Sequence, residues 1–181
     1  MRRLINNIVS CICSLIRFSW LKVFHFNGLK FCMIERFSPN VVVEMGKKSI
    51  LVLGKKVRVH SGSKIKVRKN AKLVLEPGVK MNYNCIIACR KDIKIGAGTQ
   101  FGPSVYVYDH DHDYRAGLQK GSYLEQSVEI GKNCWIGANT VILRGTKIGD
   151  NCVVGAGCVL KGIFPANSVI VQKREISITS F

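Results

Sequence analysis

The chain has 181 residues, eight of them cysteines, and a formal net charge of +17. This length fits one domain with its own core. The cysteines fall on repeat positions or close together, which argues against a disulfide-stapled secreted scaffold and favours a reduced, cytoplasmic compartment. Residues 1–80 hold 17 Lys and Arg against 3 Asp and Glu, whereas residues 81–181 hold 11 against 8.

The basic half of the chain favours anionic membranes, phosphorylated ligands or acidic polysaccharide as partners. A solvated face of alternating strand residues would produce the same composition. Nucleic acid is disfavoured, because the basic stretch has no interleaved aromatic residues and matches no nucleic-acid-binding motif.

Residues 1–34 form a segment unlike the rest of the chain. Apolar residues recur there at helical spacing, so an amphipathic helix is predicted over about Leu4–Val23. Two interpretations stay open: a cap packed on the first coil of the following domain, or a helix lying flat on a membrane interface, possible at the inner membrane face. A transmembrane span is not expected, because polar residues interrupt the apolar stretch: Asn6, Asn7 and Arg17.

Residues 35–172 are predicted to form one solenoid domain, followed by a tail over 173–181. From Val41 onward, aliphatic residues alternate with Lys and Arg, as in half-buried strands. Between Ile130 and Pro165 the pattern becomes strictly six-residue. The aliphatic positions are Ile130, Ile136, Ile142, Ile148, Val154 and Leu160, and the small positions are Cys134, Thr140, Thr146, Cys152 and Cys158.

A period of six is neither that of a strand nor that of a helix, so each hexad is a short strand followed by a corner. Three such sides close a triangular coil in which the aliphatic and the small residue point inward and Gly or Asn turns the corner. The predicted fold class is therefore all-β: a parallel β-helix with a short N-terminal helical segment. Its coils would be stabilised by stacking on one another.

The period fails between Val107 and Ile130, where a polar loop over 108–128 is predicted to leave the solenoid at a corner. At its base, His110 stands in a cluster with Asp109, Asp111 and His112. An imidazole oriented by a carboxylate on one nitrogen accepts a proton at the other, which is general-base chemistry. A satisfied structural network or a two-His metal site would give the same cluster.

The hexads, the loop that begins at a His, and the stretch VEIGKNCWIGANTVILRGTKIGDNCVVGAGCVL resemble the hexapeptide-repeat acyltransferases. The resemblance is greatest to the sugar O-acetyltransferases of the maltose, galactoside, capsule and lipopolysaccharide type. It is specific over Ile93–Val171 and loose over Val41–Arg90. It implies a left-handed β-helix, a homotrimer, an active site between subunits, acetyl-CoA as co-substrate and a sugar or glycan acceptor, with no metal.

The resemblance also implies roles for individual residues. His110 matches the catalytic base, supported by its neighbours Asp109, Asp111 and His112, and the backbone N–H of Ala138 matches the oxyanion donor. The residues expected on the coenzyme are Trp135, Ala138, Ala156, Lys161, Lys173 and Arg174. Those expected on the acceptor are Asn82 and Arg90.

Two departures from the family pattern bear on specificity. The family often continues Gly-x-Pro-Ala-Lys near the C-terminus, where this chain has Val171, Gln172, Lys173 and Arg174. Arg90 stands where the galactoside enzyme has an acid, which favours a charged, nucleotide-linked or lipid-linked acceptor over a neutral disaccharide.

Three alternatives to O-acetylation remain. The first is N-acetylation of a nucleotide-linked amino sugar, and the second is a non-catalytic β-helix on an anionic membrane. The third is a zinc enzyme of the carbonic-anhydrase type, which needs three well-placed imidazoles. The chain has His110 and His112 at the loop and His60 far upstream.

Overall fold

The computed structural model describes residues 2–116, 122–173 and 178. Within these residues, one helix, α1 (Arg2–Phe24), precedes a series of short strands and a 3-10 turn at Tyr114–Ala116. In chain order the strands are β1 (Leu29–Lys30), β2 (Arg36–Phe37), β3 (Val42–Met45), β4 (Ile50–Leu53), β5 (Arg58–Val59), β6 (Lys64–Val67), β7 (Lys72–Leu75), β8 (Lys80–Met81), β9 (Ile86–Cys89), β10 (Asp92–Ile95), β11 (Gln100–Phe101), β12 (Tyr106–Tyr108), β13 (His110–His112), β14 (Tyr123–Glu125), β15 (Val128–Ile130), β16 (Trp135–Ile136), β17 (Val141–Ile142), β18 (Lys147–Ile148), β19 (Val153–Val154), β20 (Val159–Leu160), β21 (Ile163–Phe164) and β22 (Val169–Ile170).

Three parallel sheets form the sides of a triangular solenoid. Sheet 1 stacks β1-β4-β7-β10-β15-β18-β21, sheet 2 stacks β2-β5-β8-β11-β16-β19-β22, and sheet 3 stacks β3-β6-β9-β12-β17-β20. The chain therefore visits sheets 1, 2 and 3 in turn in every coil. We call the turn from sheet 2 to sheet 3 the second corner and the turn from sheet 3 back to sheet 1 the third corner. The predicted fold class, a left-handed parallel β-helix with an extruded loop and an N-terminal helix, is confirmed.

The inward positions explain why the repeat is loose before the loop and strict after it. In the early coils sheets 1 and 3 contribute three buried residues per side, as in Ala71, Leu73 and Leu75, whereas sheet 2 contributes two, as in Val79 and Met81. After the loop every side contributes two, so each side becomes one hexad. All the aliphatic and small hexad positions predicted to point inward between Ile130 and Leu160 are buried.

Two kinds of residue shape the corners of the hexad coils. The left-handed backbone conformation falls on asparagines there, at Asn133, Asn139, Asn151 and Asn167 with φ of 54–60°, which Asn tolerates better than other side chains. Where a glycine directly follows an inward aliphatic, as Gly137 follows Ile136, it serves close stacking instead. A Cβ on Gly137 would lie 2.6 Å from the backbone nitrogen of Ala156 in the next coil.

The predicted N-terminal helix is confirmed as α1, and it packs on the first coil. Phe18 is fully buried and meets Phe37 edge to face at 4.9 Å between ring centroids. The Ser14 hydroxyl accepts a hydrogen bond from the backbone N–H of Phe37 at 2.8 Å. The first coil starts at Leu29, six residues before the domain boundary expected at 35.

The length and composition of α1 do not exclude a membrane span, contrary to the expectation from the sequence. Asn6, Asn7 and Arg17 were expected to exclude a membrane span, yet the stretch Leu4–Phe24 has 21 residues with a mean hydropathy of 1.5, which is long and apolar enough to cross a bilayer. The three polar residues are outweighed by the Ile, Leu, Val and aromatic residues around them. Only 11% of the most apolar window is buried in the folded chain.

Candidate active site

Asp109 and His110 form a hydrogen-bonded pair at the third corner, where the loop leaves the solenoid. Asp109 is fully buried, and its Oδ1 lies 2.9 Å from Nδ1 of His110. The same carboxylate accepts hydrogen bonds from the backbone N–H groups of Arg90, at 2.8 Å, and Lys91, at 2.7 Å, in the coil below. The solenoid thus holds the carboxylate rigidly behind the imidazole.

The surroundings of Asp109 keep it ionised despite its burial. Burial by itself raises the pKa of the carboxyl, but hydrogen bonds from His110, the backbone of Arg90 and Lys91, and the Cys89 thiol together hold the pKa of Asp109 below its ordinary value. Burial and the neighbouring Asp109 in turn raise the pKa of the Cys89 thiol. An ionised Asp109 accepts a hydrogen bond from Nδ1–H of His110, the tautomer in which Nε2 is the nitrogen that can accept a proton.

A two-stranded hairpin carries His110 away from the coil. β13 pairs antiparallel with β14, so that His110 lies opposite Glu125 and His112 opposite Tyr123. Both imidazoles contact the Tyr123 ring, at centroid distances of 5.6 Å and 4.7 Å. His110 and His112 therefore lie on one side of the strand.

Residues from the coils below and above clamp the hairpin. Arg90 donates to Glu125 at 2.9 Å and stacks on the Tyr123 ring at 3.6 Å. From above, Arg144 donates to Asp111 at 2.6 Å and to Gln126 at 2.8 Å. Asp111 is thus engaged by Arg144 and makes no hydrogen bond with the His110 side chain.

Sequence reasoning missed four of these residues: Lys91, Tyr123, Glu125 and Arg144. Lys91 and Arg144 lie on the third corner, in the coils directly below and above His110. If all sides of the early coils had the same length, counting the inward positions along the sequence would have placed Lys91 and Arg144 on this corner. No sequence signal pairs Arg90 with Glu125, because 35 residues separate them.

The residues expected on the coenzyme lie mostly on another edge of the solenoid. Trp135 faces outward from sheet 2 and is half exposed, while Ala138 and Ala156 lie on the second corner in successive coils. Within the described residues, the backbone N–H groups of Ala138 and Ala156 donate no hydrogen bond. They are therefore available to an acceptor atom of a ligand. One chain does not bring them together with His110, as is expected of a site formed between subunits.

The remaining predicted residues divide between the corners. Lys161 is exposed on the third corner, the corner of His110, and Lys173 is exposed after the last strand of sheet 2. Asn82 lies on the second corner, where its Oδ1 accepts a hydrogen bond from the N–H of Tyr83 at 2.9 Å. Arg174 lies outside the described residues.

The arrangement of histidines and acids gives no metal centre in the part of the chain that the structure describes. No group of three His, Cys, Asp or Glu there is placed to hold a metal ion. His60, which a three-His site would need, stacks on Tyr83 at the second corner, at 4.9 Å between ring centroids.

The chain resembles known proteins in sequence and in fold. The family described as bacterial transferase hexapeptide (six repeats) matches residues 127–162, the coils directly after the loop. Nodulation protein L of Rhizobium leguminosarum bv. viciae is 45% identical over 72 residues, which are 37% of this chain and 36% of that protein. Galactoside O-acetyltransferase of Lactococcus lactis is 33% identical over 110 residues, which are 58% of this chain and 53% of that protein. The chain thus spans between about a third and a half of these relatives.

Among solved structures, a mutant of AntD, an N-acyltransferase from Bacillus cereus in complex with dTDP-4-amino-4,6-dideoxyglucose and coenzyme A, shares the fold. The TM-score is 0.70, at 16% identity, over 85% of this chain and 83% of that one. The chain therefore carries the hexapeptide repeat of bacterial transferases over residues 127–162 within a left-handed parallel β-helix, and its resemblance to the hexapeptide-repeat acyltransferases is confirmed.

Proposed function

We propose that the protein is an acetyltransferase that moves an acetyl group from acetyl-CoA to a sugar hydroxyl, in the biosynthesis of capsule, lipopolysaccharide or another surface glycan. The observation that carries this proposal is the Asp109–His110 pair, with a buried ionised carboxylate on Nδ1 and Nε2 left to accept a proton. The partial matches to galactoside O-acetyltransferase and nodulation protein L support the same class of reaction.

The proposed step is general-base catalysis. Nε2 of His110 takes the proton of the acceptor hydroxyl as that oxygen attacks the thioester carbon of acetyl-CoA. The backbone N–H of Ala138 donates to the oxyanion that forms, in the way fixed donors stabilise developing charge. When the carbon–sulfur bond breaks, the coenzyme A thiolate takes the proton from His110. Asp109 stabilises the transient imidazolium and fixes the ring's tautomer.

This step needs two copies of the chain. His110 and Lys161 lie on the third corner, whereas Trp135 and Ala138 lie on or beside the second corner. A homotrimer in which the third corner of one copy faces the second corner of the next would unite them. Exposed apolar residues flank the second corner in the later coils and would be covered in such a trimer: Trp135, Val153 and Val169 on sheet 2, and Val159 on sheet 3.

The charge beside His110 supports an anionic acceptor. A cavity of about 780 Å³ on the third corner is lined by Arg68, Lys69, Asn70, Arg90, Lys91 and Glu125. Arg68 pairs with Glu44 and Arg90 with Glu125. The Lys69 and Lys91 ammonium groups have no hydrogen bond or ion pair with any described residue. Since the backbone of Lys91 also holds Asp109, a phosphate or carboxylate bound here would lie next to the catalytic pair.

The second candidate is N-acetylation of an amino sugar linked to a nucleotide. The cationic cavity favours it as well, because nucleotide sugars carry a diphosphate. In both candidates the reaction is placed in the cytoplasm, where the free thiols of the described cysteines would stay reduced. In a non-catalytic protein the Asp109–His110 pair would be a structural network alone.

Release of coenzyme A from acetyl-CoA, measured with a panel of sugars, sugar phosphates, nucleotide sugars and glycan fragments, tests the proposal. We expect release that depends on one class of acceptor and a product acetylated on oxygen, which mild base hydrolyses. A product that survives mild base would identify an amide and favour N-acetylation. No release with any acceptor class would contradict acetyl transfer.

Substitution of Lys91 by alanine tests the anionic acceptor. Lys91 would contact the charge of the acceptor and not the reacting atoms. In Lys91→Ala we therefore expect the KM for the acceptor to rise about tenfold, with little change in kcat. Lys132→Ala, which removes an exposed lysine between sheets 1 and 2, is the matched control. An unchanged KM in Lys91→Ala would place the acceptor's charge elsewhere.

A further inference from the structure

Helix α1 presents its apolar side to solvent. The exposed large side chains along it run from Leu15 at 38% exposure to Val23 at 71%. They share one side of the helix and comprise Leu4, Ile5, Ile8, Val9, Ile12, Leu15, Ile16, Trp20 and Val23. We call this set the outer face of α1. Contiguous apolar surface of this kind marks a contact with another apolar body.

The opposite side of α1 is held on the solenoid by specific contacts. Ser14 and Phe18 are buried against the first coil. An Arg17 guanidinium nitrogen donates to the carbonyl of Pro39 at 2.6 Å. The helix therefore cannot turn its outer face inward without breaking these contacts, and the apolar side stays outward in the folded chain.

The end of α1 has the composition of a membrane interface. Trp20, Phe24 and Phe26 are each at least 65% exposed. The Lys22 ammonium lies 5.2 Å from the centre of the Phe26 ring. A cavity of about 450 Å³ joins Phe24 and Phe26 to Lys48 on the third corner. Aromatic rings and lysines together favour the headgroup region of a bilayer.

The charge of residues 1–34 favours an anionic bilayer over a second copy of the chain as the partner of the outer face of α1. Residues 1–34 contain five Lys and Arg and no Asp or Glu: Arg2, Arg3, Arg17, Lys22 and Lys30. Two copies meeting through α1 would bring two basic segments together, with no acid in either segment to pair with them. An anionic lipid surface complements both the charge and the apolar face.

We propose that the outer face of α1 inserts into the surface of an anionic bilayer, with the helix lying flat and the β-helix attached beneath it. A flat helix keeps the contacts of Ser14, Arg17 and Phe18 with the first coil, whereas a helix crossing the bilayer would have to leave them. The membrane would then hold the enzyme near acceptors that are themselves built on lipid. Acetyl transfer to a soluble acceptor does not need this contact.

Sedimentation of the full chain with vesicles tests the proposal. We expect binding to vesicles of phosphatidylglycerol and phosphatidylcholine, and much weaker binding to phosphatidylcholine alone. Ile16→Glu should weaken binding to the anionic vesicles by at least about tenfold, since it places a carboxylate in the inserted face. Ile163→Glu is the matched control, because it alters an isoleucine at the far end of the solenoid that is 78% exposed, against 66% for Ile16. This variant should bind the anionic vesicles as the wild type does.

Thermal unfolding and coenzyme A release with a soluble acceptor should be the same in all three proteins, which separates membrane contact from folding and from acetyl transfer. Equal vesicle binding by Ile16→Glu and the wild type would overturn the proposal. So would a loss of oligomers in lipid-free solution in Ile16→Glu alone, because a second copy would then cover the face. Resistance of the cellular protein to alkaline carbonate extraction would show a membrane span and also overturn it.

Discussion

Replacement of His110 by alanine is expected to lower the rate of coenzyme A release with the true acceptor by about 10²- to 10⁴-fold, the contribution typical of a general base. Among the neighbouring groups expected to support the base, Asp109 is buried behind His110 and Asp111 is bound to Arg144, while His112 is the second imidazole on the same side of the strand. Binding of coenzyme A should stay close to that of the wild type, since its expected contacts lie on Trp135, Ala138 and Ala156. Steady-state kinetics and calorimetric titration with coenzyme A measure the two effects.

His25→Ala is a suitable control for the His110 variant, because His25 lies at the end of α1, far along the chain from the loop. Mixed oligomers give a second readout. Co-expression of His110→Ala chains with Trp135→Ala chains should recover part of the activity, because some sites between copies would then hold both wild-type residues. Near-normal turnover by His110→Ala would refute the assignment of the base. Failure of the mixed oligomers to recover would refute the site between copies.

Substitution of Asp109 by asparagine is expected to impair both catalysis and stability. An amide that donates to Nδ1 of His110 would move the ring proton to Nε2, the wrong tautomer for a base, so a loss of about 10²- to 10⁴-fold in kcat is expected. The amide NH₂ would also face a backbone N–H of Arg90 or Lys91, and one unsatisfied buried donor costs about 1–3 kcal/mol. Kinetics and chemical unfolding of the two proteins measure these effects.

The stability effect of Asp109→Asn should depend on pH in one direction. Because the pKa of Asp109 is lowered in the folded chain, its carboxylate stabilises the fold above the unfolded pKa of about 3.9. This contribution is lost as pH falls through the lower, folded pKa. The difference in unfolding free energy between wild type and Asp109→Asn should therefore be full at neutral pH and shrink below about pH 4. A difference that stays constant from neutral to acidic pH would mean that the charge of Asp109 does not stabilise the fold.

Much of the fold was predictable because the rule that produces it is local. An aliphatic residue every six positions, with a small residue four places on, allows one geometry: a short strand and a corner with both side chains inward. Ile136 and Cys134 are buried as this rule requires. His110 was found for a related reason, since a polar insertion in a regular repeat marks the point where the chain leaves the solenoid.

The partners of Asp109 and of its neighbour Asp111 were not predictable in the same way. Asp109 is held by Arg90 and Lys91, some 18 to 19 residues earlier, and Arg144 reaches Asp111 across 33 residues. Whether two such residues meet depends on the length of every side between them. The sides of the early coils differ in length, so counting in sixes places residues on the wrong corner.

Sequence by itself determined the hexad core, the position of the loop and the helical character of residues 2–24, because each depends on spacings within one element. Tertiary structure decided three other matters. It placed His110 and Ala138 on different corners, it set the backbone of Lys91 behind Asp109, and it turned the apolar side of α1 outward. The first two depend on how the coils stack, and the third depends on which surface of the helix contacts Phe37. The six-residue period of the sequence carries no information about contacts between separate coils or between the helix and a coil.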